Sequence, residues 1–467
     1  MQRRNVGLFA AVLLLVAVLA IPGGASPAGG DPSDDRVTEL RQRFVDLTSP
    51  ASIGAEHGSA ADRPARSRNL TEVGSNDFDG QGFNADVWAL GNYAYVGRWG
   101  LFTGDGALCP ATGTEVVDIS KPSNPQSVGA IPTADWTQTN DVKVEKVSTR
   151  HFRGDLLAVS NEDCAPSGAR GFELWDVSDP EDASQLGRYG PEMAFDDPVD
   201  LPAWGFGVHN VFIFEQGPRV YVAAVMDFTE IFQLIFNGEV LVGDLRIVDV
   251  TDPEHPVEVG DWGAVKDLGI DPFGPNGDVF LHDVWVENNI AYLSYWDAGL
   301  ILLDVSDPSD PQFISQTNYW PEEEGDTHVA VPARGGNLVI TGDEDFSPDP
   351  WGFMRVFDSQ DEFAPVQVGT YDTGNLATPP SEGDFSMHNV IVRGNTAYVS
   401  WYSDGIQLVD ISQPSSPRGI GSFIPEAADD PFGILPSAPE MWGVYVQGNL
   451  ILGSDMNSGL HVLKTKP

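Results

Sequence analysis

One phrase recurs along this 467-residue chain and constrains its fold more than any other feature. It is an apolar strand ending in Asp, then a turn rich in Ser, Thr and Pro, then a second strand carrying Val-Gly or Leu-Gly. The copies read TEVVDISKPSNPQSVG at Asp118, FELWDVSDPEDASQLG at Asp176, LRIVDVTDPEHPVEVG at Asp249, LILLDVSDPSDPQFIS at Asp304, MRVFDSQDEFAPVQVG at Asp358 and IQLVDISQPSSPRGIG at Asp410. Successive Asp residues lie 58, 73, 55, 54 and 52 positions apart, and a last copy, LHVLK, places Lys464 another 54 beyond Asp410. A period of roughly fifty with several short strands per copy is that of a four-stranded propeller blade rather than of a helical solenoid.

Within one copy, residues 388–392, 396–401 and 406–411 and the segment around 420–423 alternate apolar and polar positions between Gly, Asn, Asp and Pro punctuation, as half-buried antiparallel strands do. The opening strands align seven times: ADVWAL from Ala85, NDVKV from Asn140, HNVFIF from His209, HDVWV from His282, HVAV from His328, HNVIV from His388 and WGVYV from Trp442. The expected fold is therefore all-β, a seven-bladed β-propeller of four-stranded antiparallel blades. The last unit stops after its third strand, while residues 69–74 (NLTEVG) have the character of a fourth strand, like HPVEVG from His255 and APVQVG from Ala364. This N-terminal strand is expected to pair with residues 460–463 and complete the C-terminal blade, which would close the ring and remove two exposed sheet edges.

The third-strand motif, above all LRIVD, LILLD and IQLVD, resembles the LVIVD-repeat family of secreted and cell-surface propeller proteins of bacteria and archaea. The resemblance spans residues 69–467 and implies architecture. It implies no catalytic residues, because that family has no agreed activity. The chain departs from the pattern at Asp358, where SQDEFAP replaces the usual turn, and at the seventh copy, where Lys464 replaces Asp.

Acidic residues number 69 against 25 basic ones, a formal charge of -44. Such a surface repels nucleic acid and anionic lipid, which argues against both as partners. Its self-repulsion suits a halophile, where molar salt shortens the screening length to about 3 Å; an acidic protein of ordinary habitat is the competing reading. Arg3 and Arg4 precede an apolar run over residues 6–21, and Gly23-Gly24-Ala25 offers a cleavage site. Residues 1–25 thus read as an export signal, with the paired arginines pointing to the twin-arginine route and an uncleaved anchor as the alternative. Residues 26–67 read as a linker and 68–467 as the propeller, a secreted or cell-surface product with no membrane span after cleavage, expected to be monomeric.

Asn69-Leu70-Thr71 is a glycosylation sequon at Asn69. Cys109 and Cys164 each fall between the second and third strands of neighbouring blades, and outside the cell a disulfide between them is expected. Two unpaired thiols are the alternative.

His209, His282, His328 and His388 occupy or adjoin the start of a first strand, the innermost of its blade, so they should meet at the mouth of the central channel. In blade five, Thr327 competes with His328 for that place. Loops between second and third strands return to the same mouth carrying Glu162 and Asp163, Asp227, Asp297, Asp343 to Asp345 with Glu344 among them, Asp404 and Asp455. Imidazole with carboxylate suits a divalent ion such as zinc, copper, iron or manganese, and the oxygen-rich loop at Glu344 suits calcium. The candidate metal residues are accordingly His209, His282, His328, His388, Glu162, Asp297 and Glu344. The competing reading makes each His a hydrogen-bonding link to the next blade, and the acids solvated loop or turn residues. Trp296 and Tyr402, nearest these loops, are the candidates for exposed recognition. An insertion over residues 229–242, apolar on both sides of Asn237-Gly238, reads as a hairpin.

The sequence holds no G-x-S-x-G elbow, H-E-x-x-H, phosphate-binding loop or dinucleotide fingerprint. Two functions remain: an extracellular module binding a protein, glycan or small molecule, or a metal-dependent oxidoreductase or hydrolase working at the channel mouth.

Overall fold

Each copy of the repeat folds into one antiparallel sheet whose strands run outward from a common axis. The computed structural model describes residues 65–80, 82–99, 113–163, 168–191, 206–274, 278–317, 325–345, 351–375, 383–428 and 438–466. Among the described residues there are seven sheets. Blade one runs Asn84–Leu90, Tyr93–Arg98, Gly113–Asp118 and Gln126–Ile131, and blade four runs Asp283–Glu287, Ile290–Ser294, Leu300–Asp304 and Gln312–Gln316. Alternate residues of adjacent sheets interlock between blades: Val87, Val117, Val142, Leu157 and Val462 share one fully buried cluster. First strands lie inside and fourth strands outside, where Val257, Phe313 and Val366 remain exposed.

The ring closes as the repeat count requires. Leu70–Asn76 pairs with Gly459–Thr465, from Leu70 opposite Thr465 to Asn76 opposite Leu460, and becomes the fourth strand of blade seven. Across this seam His461 Nδ1 lies 2.7 Å from Glu72 Oε1. The preceding residues, Arg66–Arg68, add a fifth strand to the outer edge of blade six. Between the two strands Asn69 takes a left-handed conformation (φ 57°) and donates from Nδ2 to Ile420 O at 2.6 Å, so one stretch of chain holds two blades.

The recurrent Asp has a structural explanation. In all six complete copies its carboxylate accepts a hydrogen bond from the backbone amide two residues on: Ser120, Ser178, Thr251, Ser306, Gln360 and Ser412, at 2.8 to 3.1 Å. These are Asx turns capping the third strand on the face opposite the mouth. The recurrent Gly of the fourth strand is explained by its neighbour. A Cβ at Gly187, Gly260, Gly369 or Gly74 would overlap the carbonyl oxygen of Pro253, Pro308, Pro414 or Pro122, in the capped turn of the next blade. Blade four has Ser315 instead, and its hydroxyl donates to Glu362 O of blade five at 2.6 Å. Gly260→Ala is thus expected to lower stability by about 2 kcal/mol through forced backbone separation. Gly129→Ala, where a Cβ meets nothing within 4 Å, is the control. Urea denaturation of the two variants checks this, and equal midpoints would refute it.

The insertion in blade three departs from the expected hairpin. Thr229–Asn237 is an α-helix, α1, and Ala264–Leu268 a short second one, α2. Ile231, Phe232 and Ile235 share one buried face of α1, a helical rather than alternating spacing. Gly238 is not a hairpin turn but the left-handed helix cap (φ 74°), its N–H bonded to Leu234 O. The chain then folds back on Gln233, whose Oε1 accepts from Leu241 N and Val242 N at 2.7 and 3.0 Å. Glu230 reaches α2 and accepts from Lys266 N at 2.8 Å and Val265 N at 3.2 Å.

Candidate functional site

First strands start at the channel mouth, and the side chains there form a belt of rings. His209 and His282 lie 4.7 Å apart between centroids, His282 and His328 4.0 Å, His328 and His388 4.2 Å, and His388 and Trp442 4.0 Å. His328, not Thr327, takes the blade-five place. Part of the belt links blades: Asn210 Nδ2 donates to His282 O at 2.7 Å, and His328 Nδ1 lies 3.1 Å from His388 O. His282 and His388 turn toward the carbonyls of His328 and Trp442. Neither reaches ordinary hydrogen-bond geometry, and both nitrogens of each stay without a partner although the residues are 1% and 2% exposed.

The carboxylates divide into two kinds. Glu162 Oε1 lies 3.0 Å from His209 Nδ1, with Gln138 Nε2 donating to its other oxygen at 2.9 Å, and Asp227 lies 3.8 Å from the same Nδ1. Glu344, fully buried, accepts from the Tyr402 hydroxyl and lies 3.6 Å from His328 Nε2 and 3.8 Å from His388 Nε2. The other loop acids hold backbone amides or neighbouring side chains. Asp297 accepts from the amides of Asp278, Gly325 and Asp326 at 2.8, 3.0 and 3.4 Å, and among the described residues it belongs to no group with metal-ligand spacing. Asp343 pairs with Arg355 at 2.7 Å, Asp404 accepts from Asn375 at 2.9 Å, and Asp455 accepts from Glu440 N at 2.7 Å.

Electrostatics separate the imidazoles. Burial disfavours charge on His209, but Asp227 and Glu162 outweigh it and raise its pKa to about 10. Burial, then repulsion from neighbouring imidazoles, holds His282, His328 and His388 well below the usual histidine range. Burial pushes the Glu344 carboxyl well up, against the opposing hydrogen bond from Tyr402. At neutral pH the belt therefore has one charged member and three neutral ones. Among the described residues two sets place one donor atom each within 4.8 Å of one another: His209, Asp227 and His282, and His282, His328 and Glu344.

Trp296 and Tyr402 are not exposed recognition residues. They are 0% and 1% exposed because each forms a bridge to the next blade, Trp296 to Thr327 and Tyr402 to Met441, with φ of 36° and 25° turning the chain inward. Cys109 and Cys164 lie outside the described residues.

A second layer lies below the belt, and sequence reasoning missed it. Asp86, Asp141, Asn210, Asp283 and Asn389 occupy the second place of their opening strands, a repetition visible in ADV, NDV, HNV, HDV and HNV. Lys143 projects among them, its Nζ 3.0 Å from Asp86 Oδ2 and bonded to Asp141. Burial raises Asp86 and Asp283 to about 7 against the attraction of Lys143. Trp88, Phe212, Trp285 and Tyr445 pack beneath, with centroids 4.3 Å apart for Trp88 and Tyr445 and 4.6 Å for Phe212 and Trp285. The remaining cavity is about 20 Å³, room for a single water. Lys143→Met should cost about 3–5 kcal/mol by leaving buried carboxylates uncompensated, and adding Asp86→Asn should recover part of the loss. Thermal unfolding at pH 8 measures both; a harmless Lys143→Met would refute the role.

The fold and this mouth define the class: a seven-bladed β-propeller with a polar, histidine-lined channel entrance. The LVIVD-repeat family profile matches residues 81–103, 112–133, 241–262, 281–318 and 386–424, which supports the family read from the strand motif. No curated protein matches the chain. Among solved structures it is similar to the computationally designed Ika8 protein (11% identity, 84% of this chain and 99% of that one covered, TM-score 0.43). It is also similar to the Myceliophteria thermophila Cps50 (Swd1) beta-propeller domain (10% identity, 83% and 98% covered, TM-score 0.49). Among the described residues no helix is long and apolar enough to cross a membrane.

Proposed function

We propose that this protein is an exported, salt-adapted propeller that acts as an extracellular binding module, with the channel mouth as its recognition face. The observation that carries the reading is a contrast between the two ends of the ring. On the far face, the six turn carboxylates are each engaged by a backbone amide within their own turn. At the mouth, buried polar atoms of His282, His388, Asp227 and Glu344 have no protein partner. Buried polar groups are rarely left unsatisfied, which supports reading this face as the one that receives a ligand.

Export rests on the N-terminal signal pattern, and salt adaptation on the charge of -44. A thermal-shift screen of extracellular glycans, peptides and small anions in molar salt tests the module. Ligands should raise the unfolding midpoint of the wild type and lose that effect in His388→Ala. Stabilising ligands that are indifferent to mouth substitutions but sensitive to Asp304→Asn on the far face would overturn the reading. A metal-dependent enzyme is the second reading, favoured by the four imidazoles at the same mouth.

A further inference from the structure

The belt contains two sets of residues with the spacing of metal ligands, and their hydrogen bonds choose between them. In the set of His209, Asp227 and His282, both ring nitrogens of His209 are already engaged: Nδ1 with Glu162 at 3.0 Å, and Nε2 with Asn140 Nδ2 at 3.1 Å. An ion there would have to displace one of these bonds. The other set carries no such obstacle. His328 directs Nδ1 to the carbonyl of His388, 3.1 Å away, which leaves the Nε2 lone pair facing Glu344. His282 turns one ring nitrogen toward the carbonyl of His328 and keeps the other without a partner, and Glu344 Oε2 has none.

We propose that His282, His328 and Glu344 form a two-imidazole, one-carboxylate site for a first-row transition-metal ion. His388 stands beside it on the second carboxylate oxygen.

Three features support the assignment. The His328 Nε2 to Glu344 Oε2 separation, 3.6 Å, is too long for a hydrogen bond. It is close to the spacing of two ligands sharing one ion, since bonds of about 2.1 Å meeting at roughly 90–110° set their ends about 3–3.5 Å apart. The supporting groups are of the kind that fix ligands in metal sites: a backbone carbonyl orients His328, and the Tyr402 hydroxyl orients Glu344. The donor set then selects the metal class. Two imidazoles with one carboxylate favour iron, cobalt, copper or zinc over calcium or magnesium, which prefer oxygen cages, and three protein ligands leave coordination positions free for a small molecule. His209 is excluded from the coordination sphere and serves as a charged neighbour paired with Glu162.

The inference depends on the mouth being the binding face, yet the two can fail separately. Chelator-treated full-length protein in high salt, titrated with Co(II) by visible absorption and with Zn(II) by calorimetry, is expected to bind one equivalent. His282→Gln and Glu344→Gln should each weaken binding at least 100-fold, while His209→Gln should bind within a few-fold of the wild type. Far-UV circular dichroism confirms that each variant is folded. Cu(II) bound to the wild type supplies a readout free of mutation, an electron paramagnetic resonance spectrum split by two imidazole nitrogens. The absence of stoichiometric binding, a copper spectrum without nitrogen splitting, or equal loss in His209→Gln would overturn the site. A metal-free mouth that still bound a ligand lost in His388→Ala would leave the module reading standing.

Discussion

A chain beginning at residue 77 is expected to lose cooperative folding. It lacks Leu70–Asn76, so blade seven exposes the apolar edge of Gly459–Thr465, and it lacks Arg66–Arg68, so blade six loses its outer strand. Leu70, fully buried, leaves a cluster that includes Leu408, Phe423 and Leu463. One buried leucine lost to a cavity costs about 2–5 kcal/mol, and the ladder bonds and the freed edge add to it. The total is comparable to the whole stability of an ordinary domain, about 5–15 kcal/mol. The open edge should also drive association. Size-exclusion chromatography and thermal unfolding measure both effects, and a peptide of residues 65–77 added in trans should restore a sharp transition. A truncated protein that stayed monomeric and melted within a few degrees of the full chain would show that the seam does not hold the ring.

Stability should rise as pH is lowered from 8 to about 5.5. Burial is the first cause that pushes Asp244 and Asp384 up to about 7, and it pushes Glu230 and Glu440 well above the usual carboxylate range. Between the ordinary value near 3.8 and the raised one, the folded protein holds protons that the unfolded chain releases. Stability therefore falls as pH climbs through that window and levels off above about 7. A carboxyl shifted this far costs on the order of 4 kcal/mol at the upper end of the window. The excess of 69 acidic over 25 basic residues acts in the same direction, and molar salt should flatten its part of the slope. Asp384→Asn isolates one group, since burial alone raises its pKa: the variant should melt higher than the wild type at pH 8, and the gap should narrow as pH falls toward 4. Melting curves from pH 5 to 9, with chelator present, give the answer. A midpoint that climbs with pH would contradict the burial argument.

The ring was readable because its signals are local and repeated. An alternating apolar run, an Asp two residues before an amide that it caps, and a Gly where the next blade presses close each leave a residue-level mark in every copy. The N-terminal strand could be placed because Asn69 to Gly74 look like fourth strands elsewhere. The histidines were readable for the same reason, since they recur at strand starts.

What escaped depends on where the backbone turns a side chain, which a string of letters does not encode. Asp86 and Asp283 sit in alternating strands and look like ordinary outward polar positions until the axis is known to lie on that side. Trp296 and Tyr402 adjoin polar loops, yet positive φ values turn both inward to pair with the next blade. Asn237-Gly238 marks a chain reversal in a hairpin and a helix end alike. Only the spacing of Ile231, Phe232 and Ile235 separates the two, and in so short an insertion that signal is weak.

The shared blade imposes an order on biosynthesis. Glu72 meets His461 across 389 positions, so during translation at roughly 5–20 residues per second the leading strand waits on the order of 20–80 s for its partner. Throughout that interval residues 66–76 lack the edge they pair with in the finished ring, and each newly completed sheet offers a wrong one. A chaperone that holds this segment, or a pause that delays the earlier blades, would decide how much of the nascent protein becomes a closed ring and how much becomes tangled polymer.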